Sequence, residues 1–216
     1  MRKTLFPATF VAILFLSTPI FAQDSTELAR FHQVTDRLYR GGQPSIDGLR
    51  RLRELGIDTI VNLRGTSDQT RAEEIEAKAL GFGYFNIALP NWGRPQDERV
   101  RRILLIIAAP QNGRVFVHCR DGVDRTGTIV ALYRIDQQHW STDDALSEAE
   151  RLGMRRTQFW MRDYAEDYGR HGQTENSDFD DRIGASMRVV EAETSRARKK
   201  SVQALSKVGG FLGSIF

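Results

Sequence analysis

The chain has 216 residues, of which 40% are hydrophobic and 27% are charged, and this is enough for one well-packed core with an appendage. Its formal net charge of +3 and its sequence pI of about 9.2 are only mildly basic. No run of lysine and arginine is interleaved with aromatic residues, so we expect no nucleic acid among its partners.

Residues 1–22 have the organisation of a signal peptide. A positive start, MRK, is followed by the apolar run FVAILFL over residues 10–16, and the segment ends at Ala22 before a polar stretch. The apolar run is shorter than the roughly 20 residues that a membrane-spanning helix needs. We therefore predict export, to the periplasm or outside the cell, with a mature chain that begins near Gln23. An uncleaved anchor helix is the alternative.

Strands and helices are predicted to alternate through the middle of the chain. Short stretches rich in β-branched and aromatic residues predict strands, and longer stretches with a helical repeat of apolar residues predict helices. This alternation predicts an α/β fold, a three-layer sandwich with a central, largely parallel sheet flanked by helices. The predicted strands lie at the start of 34–45 and over 56–65, 84–89 and 113–119, and the predicted helices over 45–55, 69–80, 97–108, 126–139, 142–152 and 157–168.

The composition changes after residue 170. HGQTENSDFDD is acidic and polar, and it is followed by a basic cluster, RARKK, and an apolar end, VGGFLGSIF. We predict one globular domain over residues 23–170 and, over 171–216, a polar linker with a basic, amphipathic tail. The tail has two interpretations: a frayed, partly helical segment, or a helix that lies on an anionic membrane surface.

The only cysteine of the chain, Cys119, lies in the stretch HCRDGVDRTG between a predicted strand and a predicted helix. Five residues separate it from Arg125, and a loop of that length can wrap its N–H groups around a tetrahedral anion. The helix N-terminus adds positive charge, and the arginine fork can bind two phosphate oxygens. Because these groups favour the thiolate, the pattern predicts a nucleophile. A small buried hydrophobic side chain is the alternative.

The stretch fits H-C-x-x-G-x-x-R-T-G at every fixed position and therefore resembles the signature of the cysteine-dependent protein tyrosine and dual-specificity phosphatase superfamily. The resemblance extends from about Val34 to Tyr168 and includes LYRGGQPS and IVNLRG. It implies a dual-specificity-phosphatase-like fold for the domain over 23–170. It also implies a phosphomonoester hydrolase that acts through a phosphocysteine intermediate, with no metal or other cofactor.

The resemblance further implies a role for each residue of the motif. Cys119 attacks phosphorus, Thr126 donates a hydrogen bond to the sulfur when it leaves, and His118 supports the loop and the thiolate. The phosphate is held by Arg125 together with the loop residues Arg120, Asp121, Gly122, Val123 and Asp124.

The acid that protonates the leaving group is where the sequence departs from the family pattern. Alignment of YFNIALPNWG with the family's acid loop places Asn91 where an aspartate is expected, and an amide is no useful proton donor. Asp97, the nearest replacement, is our first candidate for the general acid, and a helix-capping role is its alternative. Asp124 is the second candidate: it could orient Arg125, position water or donate a proton, or it could be a solvated acid paired with an arginine.

Three further side chains have two interpretations each. Trp92, on the presumed acid loop, could cover the cavity and exclude water, or it could pack on the core. Arg64, at the end of the strand over 56–65, could contact phosphate or form a structural ion pair, and the same alternatives hold for Arg40.

The identity of the phosphoester stays open at this point. A phosphorylated protein and a small phosphoester both fit the motif, while the similarity of CRDGVDR to the loop of myotubularin-type lipid phosphatases makes a phosphoinositide or inositol phosphate phosphatase an alternative. A weakly catalytic module that binds phosphorylated ligands is another, because of Asn91. A sulfurtransferase or arsenate reductase is disfavoured by the Thr-Gly after the arginine and by the lack of a second cysteine.

Overall fold

A computed structural model describes residues 27–171 and residue 196. The predicted signal peptide over 1–22 lies outside these residues, and so does the predicted tail over 171–216 apart from residues 171 and 196. Both therefore stay predictions. Among the described residues, no helix is long and apolar enough to cross a bilayer.

A five-stranded sheet lies at the centre of the described residues. Its strands are β1 (His32–Gln33), β2 (Leu38–Gly41), β3 (Thr59–Asn62), β4 (Gly83–Asn86) and β5 (Val115–His118). They lie in the order β1-β2-β5-β3-β4, and all neighbours are parallel except β1, which pairs antiparallel with β2 at the edge. The largely parallel sheet confirms the predicted fold class. β1 was not predicted, because two exposed residues carry no recognisable strand pattern.

All six predicted helices are present in the described part of the chain. They are α1 (Ile46–Glu54), α2 (Asp68–Ala79), α3 (Asp97–Ala108), α4 (Asp124–Gln138), α5 (Thr142–Arg151) and α6 (Phe159–His171). Ser45 and Ser67 begin α1 and α2, since the hydroxyl oxygen of each accepts a hydrogen bond from a first-turn N–H. A short 3₁₀ turn over Pro110–Asn112 precedes β5.

Side chains alternate between the two faces of the sheet, and each face has its own core. Ile60 and Phe116 lie in a core that includes residues of α1 and α2. Their neighbours Val61 and Val117 lie in a second core, with residues of α3, α4, α5 and α6. The helices thus form a layer on each side of the sheet, as the sequence predicts.

The helix α4 positions the functional end of the sheet. Residues 126–132 of α4 are all buried, and the helix follows β5 after the short connection 119–123. Its N-terminus therefore lies at the carboxyl end of a strand that has a parallel neighbour on each side. Because α4 is enclosed by the core, the connection between β5 and α4 is fixed at both ends.

Candidate active site

A cavity of about 460 Å³ opens at the carboxyl ends of β3 and β5. Ligands of parallel sheets bind at this edge. The cavity contains the only cysteine of the chain together with residues from four other segments. It is lined by residues 64–67, 91–92, 119–121, 124–125, 155, 158 and 161.

The connection 119–123, here called the nucleophile loop, is held by hydrogen bonds to its carbonyl oxygens. The donors of these bonds lie outside the cavity. The N–H of Gln43 donates to the carbonyl of Arg120 over 3.0 Å, and Nη2 of Arg40 donates to the carbonyl of Gly122 over 2.7 Å. In a trans peptide the N–H points away from the carbonyl. These bonds therefore turn loop N–H groups toward the cavity, where they can bind an anion.

Arg40 is a buried support of the loop and does not line the cavity. Its side chain is almost fully buried, and burial lowers the pKa of its guanidinium, an effect that the Cys119 thiolate opposes. Of the two interpretations of Arg40, the structure thus favours a structural role, although the partner is a loop carbonyl rather than a carboxylate.

Gly122 is required by the path of the loop. Its φ is +69°, and a Cβ at this position would lie 2.4 Å from the carbonyl carbon of Gly41 and 2.5 Å from the backbone nitrogen of Gly42. The backbone of Gly41 and Gly42 and the nucleophile loop can approach this closely because Gly122 lacks a side chain, and a Cβ on Gly42 would in turn lie 3.2 Å from the carbonyl oxygen of Arg120.

Cys119, the predicted nucleophile, and its predicted partners Arg125 and Thr126 lie beside the N–H groups of the nucleophile loop. Cys119 is a free thiol, 3% exposed, and Arg125 lines the same cavity while its Nη1 donates to the carbonyl of Leu63 over 3.3 Å. Val123, the residue before α4, has no side-chain acceptor, so the first N–H groups of the helix are open to a ligand. The buried hydroxyl of Thr126 has no hydrogen-bond partner among the described residues and can donate to a thiolate.

His118 lies behind the loop in a buried network that the sequence did not reveal. Its Nε2 is 2.8 Å from Oε1 of Glu73, and its Nδ1 is 3.1 Å from the carbonyl oxygen of Cys119. The same oxygen of Glu73 accepts hydrogen bonds from Tyr84 and Asn62. His118 does not line the cavity. Its contacts are those of a support for the loop, which is the role that the resemblance implies.

The structure separates the two residues considered for the general-acid position. Asn91 lines the cavity. Asp97 does not: it is the first residue of α3, and its carboxylate accepts a hydrogen bond from the hydroxyl of Tyr164 over 2.8 Å. Burial and this hydrogen bond raise the pKa of Tyr164. The geometry gives Asp97 a structural contact with α6 and does not support its predicted role as the general acid.

Asp124 lines the cavity but is paired with an arginine that the sequence did not single out. Its carboxylate accepts hydrogen bonds from the N–H and the Nε of Arg155, each over 2.9 Å, and from Nη2 of the same residue. The hydrogen bond and the charge of Asp124 raise the pKa of Arg155. Asp124 is buried and bound to Arg155 instead of being solvated or orienting Arg125, and a carboxylate held in this way is a poor proton donor.

Arg120 and Asp121 line the cavity at its solvent-exposed side and pair with each other. Nε of Arg120 lies 3.1 Å from Oδ1 of Asp121, and both side chains are largely exposed. Since the side chains of Gly122 and Val123 have no polar atom, these two residues could bind a phosphate only through their backbone N–H groups.

Trp92 lies on the rim of the cavity and not in the core. It is 67% exposed and stands next to Asn91 in the lining. Arg94, two residues further on, turns toward α6: its Nη2 lies 2.6 Å from a carboxylate oxygen of Asp167, and its guanidinium carbon lies 5.4 Å from the ring centroid of Tyr164.

Arg64 is another of the arginines that line the cavity. Its Nη2 donates to Oε1 of Gln69 over 3.1 Å, while its buried Nη1 has no hydrogen-bond partner within the described part of the chain. Of the two interpretations of Arg64, the contact with an anion fits this geometry better than a structural ion pair.

Several residues at the site were missed by the sequence analysis, and three of them make or offer polar contacts. Arg155 and Gln158 line the cavity from the segment between α5 and α6, which carries no motif and gave no signal. Glu73 could have been found, because it shares the buried face of α2 with Thr70 and Ala77, where an acid is unexpected.

Comparison with known proteins places this site in a family. A family model described as "DSP-PTPase phosphatase fused to NAD+ Kinase" matches residues 13–165. Over 138 residues the chain is 28% identical to the dual specificity protein phosphatase TpbA of Pseudomonas aeruginosa, covering 63% of this chain and 60% of the relative. The chain therefore spans less than two thirds of that relative's length.

Solved structures share the fold. The crystal structure of P. aeruginosa TpbA has a TM-score of 0.54 and 22% identity, covering 66% of this chain and 91% of that one. The core catalytic domain of the PP-IP phosphatase SIW14 from S. cerevisiae has a TM-score of 0.56 and 22% identity, covering 63% of this chain and 83% of that one.

A largely parallel sheet that carries a buried thiol, a loop whose N–H groups can bind an anion, and an arginine at the start of the following helix is a candidate site for thiol-based phosphoryl transfer. The match over residues 13–165 shows that the chain belongs to the cysteine-dependent dual-specificity phosphatase (DSP-PTPase) family, as HCRDGVDRTG predicts.

Proposed function

We propose that this protein is a phosphomonoester hydrolase of the tyrosine or dual-specificity type with Cys119 as its nucleophile. The observation that carries the proposal is the nucleophile loop, whose outward-bonded carbonyls leave N–H groups around the space beside a buried thiol. Arg125 lines the same space, where its fork can bind two oxygens of a phosphoryl group.

The reaction follows from these positions. Sγ of Cys119 attacks phosphorus, and a P–S bond forms as the P–O bond to the leaving group breaks. Loop N–H groups, the N-terminus of α4 and Arg125 stabilise the charge on the three remaining oxygens. Water then attacks the phosphocysteine, the P–S bond breaks, and the hydroxyl of Thr126 donates a hydrogen bond to the departing thiolate.

The leaving group limits the substrates. Asn91 stands at the presumed acid position, and both carboxylates that line the cavity, Asp121 and Asp124, are paired with arginines. Esters that leave without much help from a proton donor are therefore favoured, such as those of the tyrosine phenol with its pKa of about 10. TpbA, the curated relative, has been crystallised in complex with phosphotyrosine. We propose aryl phosphates, phosphotyrosine included, as the preferred substrates.

Hydrolysis of p-nitrophenyl phosphate by the full chain, in reducing buffer with a chelator, tests the proposal. We expect Cys119→Ser to lose at least about 10⁴-fold in kcat, because the nucleophile is removed. Acid quenching of the wild type during turnover should trap a phosphorylated cysteine. An inactive wild type that still binds vanadate would contradict the proposal and identify a module that binds phosphorylated ligands.

A second candidate function is a phosphoinositide or inositol phosphate phosphatase, and Arg64 favours it. The cavity of about 460 Å³ has room for more than one phosphate, and Nη1 of Arg64, which has no partner among residues 27–171, can bind a second one. The structural neighbour SIW14 is described as a PP-IP phosphatase.

The variant Arg64→Gln separates the two functions. If a second phosphate binds Arg64, the variant raises KM for an inositol polyphosphate by about 10-fold, the worth of one charge-assisted hydrogen bond, and leaves KM for p-nitrophenyl phosphate nearly unchanged. Arg94→Gln is the matched control, because this arginine does not line the cavity. Equal changes for both substrates would exclude the second candidate.

We propose in addition that the protein is exported and that its tail contacts membranes, with residues 1–22 and the basic, apolar residues of 183–216 as support. Cell fractionation should find the protein outside the cytoplasm, and deletion of 183–216 should abolish co-sedimentation with anionic vesicles. Recovery in the cytoplasm, or unchanged co-sedimentation, would contradict the respective proposal.

A further inference from the structure

The carboxylate of Asp124 lies at a place where an anion-binding site needs positive charge. Asp124 is the first residue of α4 and lines the cavity, and its side chain is only 9% exposed. The phosphoryl group of the proposed reaction binds at the same helix N-terminus, where the side chain of Val123 caps none of the first N–H groups. A carboxylate and a phosphoryl group are both anions, so they compete for the same donors and repel each other.

Arg155 binds both oxygens of this carboxylate. Oδ1 of Asp124 accepts a hydrogen bond from the backbone N–H of Arg155 over 2.9 Å, and Oδ2 accepts from Nε over 2.9 Å and from Nη2. Within residues 27–171 the carboxylate accepts no hydrogen bond from α4 or from Arg125. The N–H groups at the start of α4 and the fork of Arg125 therefore stay available to a ligand.

The turn after α5 places Arg155 against the start of α4. Gly153, with a φ of +101°, reverses the chain, and the N–H of Met154 donates to a carbonyl in the last turn of α5 over 2.8 Å. This is a common way to close a helix C-terminus. Met154 is buried beside α4, since a Cβ on Gly127 would lie 3.4 Å from its Cβ. The backbone of Arg155 is thus fixed by the packing of the residue before it.

We propose that Arg155 is a positioning residue that holds the Asp124 carboxylate away from the anion-binding groups of α4 and the nucleophile loop. Without Arg155, the carboxylate is an unpaired negative charge beside the bound anion. It can also turn to the first N–H groups of α4 or to the guanidinium of Arg125, and an oxyanion then has to displace it. The inference rests on the proposed function only in taking the N–H groups beside Cys119 as the anion-binding site.

The other charged residues of the lining differ from this pair in their exposure to water. Asp121 is paired with Arg120, but the two side chains are 49% and 69% exposed, so solvent screens their charges. The charge of the buried Asp124 is screened much less. Arg64 and Arg125 are the remaining charged residues of the lining, and both are positive. The buried carboxylate is therefore the negative charge whose pairing matters most to a bound anion.

Calorimetric titration of the full chain with tungstate, in reducing buffer with a chelator, tests the proposal through a double-mutant cycle. In Arg155→Gln the carboxylate is left without its cation, and we expect the Kd for tungstate to rise by about 10-fold or more. When Asp124→Asn is added to Arg155→Gln, the repelling charge is gone as well, and we expect the affinity to return close to that of wild type. Arg156→Gln is the matched control: its exposed guanidinium pairs with Glu150 and does not line the cavity, so the Kd should be nearly unchanged.

Other roles of Arg155 give a different result in the same cycle. If Arg155 binds the anion directly, or only stabilises the fold, the double variant binds tungstate no better than Arg155→Gln, and this result would overturn the proposal. The titration does not require turnover. A chain that binds tungstate but hydrolyses no phosphate ester would count against the proposed function alone, whereas a wild type that binds no tungstate would contradict both.

Asp124→Asn alone covers the case in which Arg155→Gln does not fold. This variant keeps the shape of the side chain and an oxygen for the backbone N–H of Arg155, and it removes only the negative charge. We expect it to bind tungstate at least as tightly as wild type. Weaker binding would show that the carboxylate assists the anion instead of opposing it, and the proposal would be wrong.

Discussion

Two loops meet at the cavity, and they are held in different ways. The nucleophile loop is bonded through its carbonyls to Arg40 and Gln43, and Gly122 is pressed against the β2–α1 connection. The loop over residues 90–96 carries Trp92 exposed on the rim, and its side-chain contacts run to α6. For the proposed reaction, the difference means that the part of the site that would hold the phosphoryl group is rigidly built and the part beside the leaving group much less so.

The largest effect is expected from the substitution that disrupts the tighter loop. Gly122→Ala places a Cβ 2.4 Å from the backbone of Gly41 at a φ of +69°. Because the loop must move to relieve this clash, its N–H groups are displaced, and we expect kcat/KM for an aryl phosphate to fall by at least about 100-fold. Gly93→Ala is the matched control on the other loop, since Gly93 also has a positive φ, +94°, but has open space around it. Equal losses in the two variants would remove the contrast between the loops.

Arg40 should come next in size. Arg40→Met keeps much of the buried stem but removes the donor to Gly122, and the loss of a charged hydrogen bond of about 1.5–3 kcal/mol corresponds to a decrease in kcat/KM of roughly 10- to 100-fold. Arg37→Met is the control, because Arg37 donates to the carbonyls of Ala109 and Gly113, away from the cavity. If both variants lower Tm but keep the wild-type kcat/KM, Arg40 stabilises the fold without contributing to catalysis.

Asn91→Asp tests the looser loop by supplying the missing carboxyl. We expect kcat/KM for an alkyl phosphate to rise relative to that for an aryl phosphate by about 10-fold, the low end of what general acids contribute. Since only the protonated carboxyl can act, the gain should be present at low pH and disappear as the pH rises. A ratio that does not change would show that position 91 cannot deliver a proton in the working enzyme.

The smallest effect is expected at Asp97. Asp97→Asn weakens the acceptor of the Tyr164 hydroxyl, which should lower stability by about 1 kcal/mol and leave the ratio of alkyl to aryl phosphate hydrolysis as in wild type. Thermal unfolding and the two rate measurements check this. A selective loss on the alkyl phosphate would restore Asp97 as the general acid and contradict the placement seen here.

The helices and most strands could be predicted because local patterns specify them. The cap Ser45 stands directly before α1, and the apolar residues of α3 lie within the helix that they define. Cys119 and Arg125 could be predicted for a similar reason, since a fixed spacing between a strand and a helix creates the loop. Family membership followed from the same residues.

What the sequence could not supply depends on packing between distant segments. The partner of Asp97 is 67 residues away on α6, and the partner of Asp124 is 31 residues away in a connection without a motif. Neither pair can be read from local spacing. Such partners decide whether the carboxylate of an aspartate points into the cavity or away from it. For this reason the assignment of the general acid was the weakest part of the prediction.

The exposed indole of Trp92 makes the occupancy of the cavity visible by fluorescence. A tryptophan in water emits at longer wavelength than one covered by a ligand, and Trp92 stands on the rim at 67% exposure. The chain has two other tryptophans. The emission of Trp92 is therefore obtained by subtracting the fluorescence spectrum of Trp92→Phe from that of the wild type. Titration with a phosphate analogue can thus measure how much of the protein holds a ligand, separately from how fast it turns a substrate over.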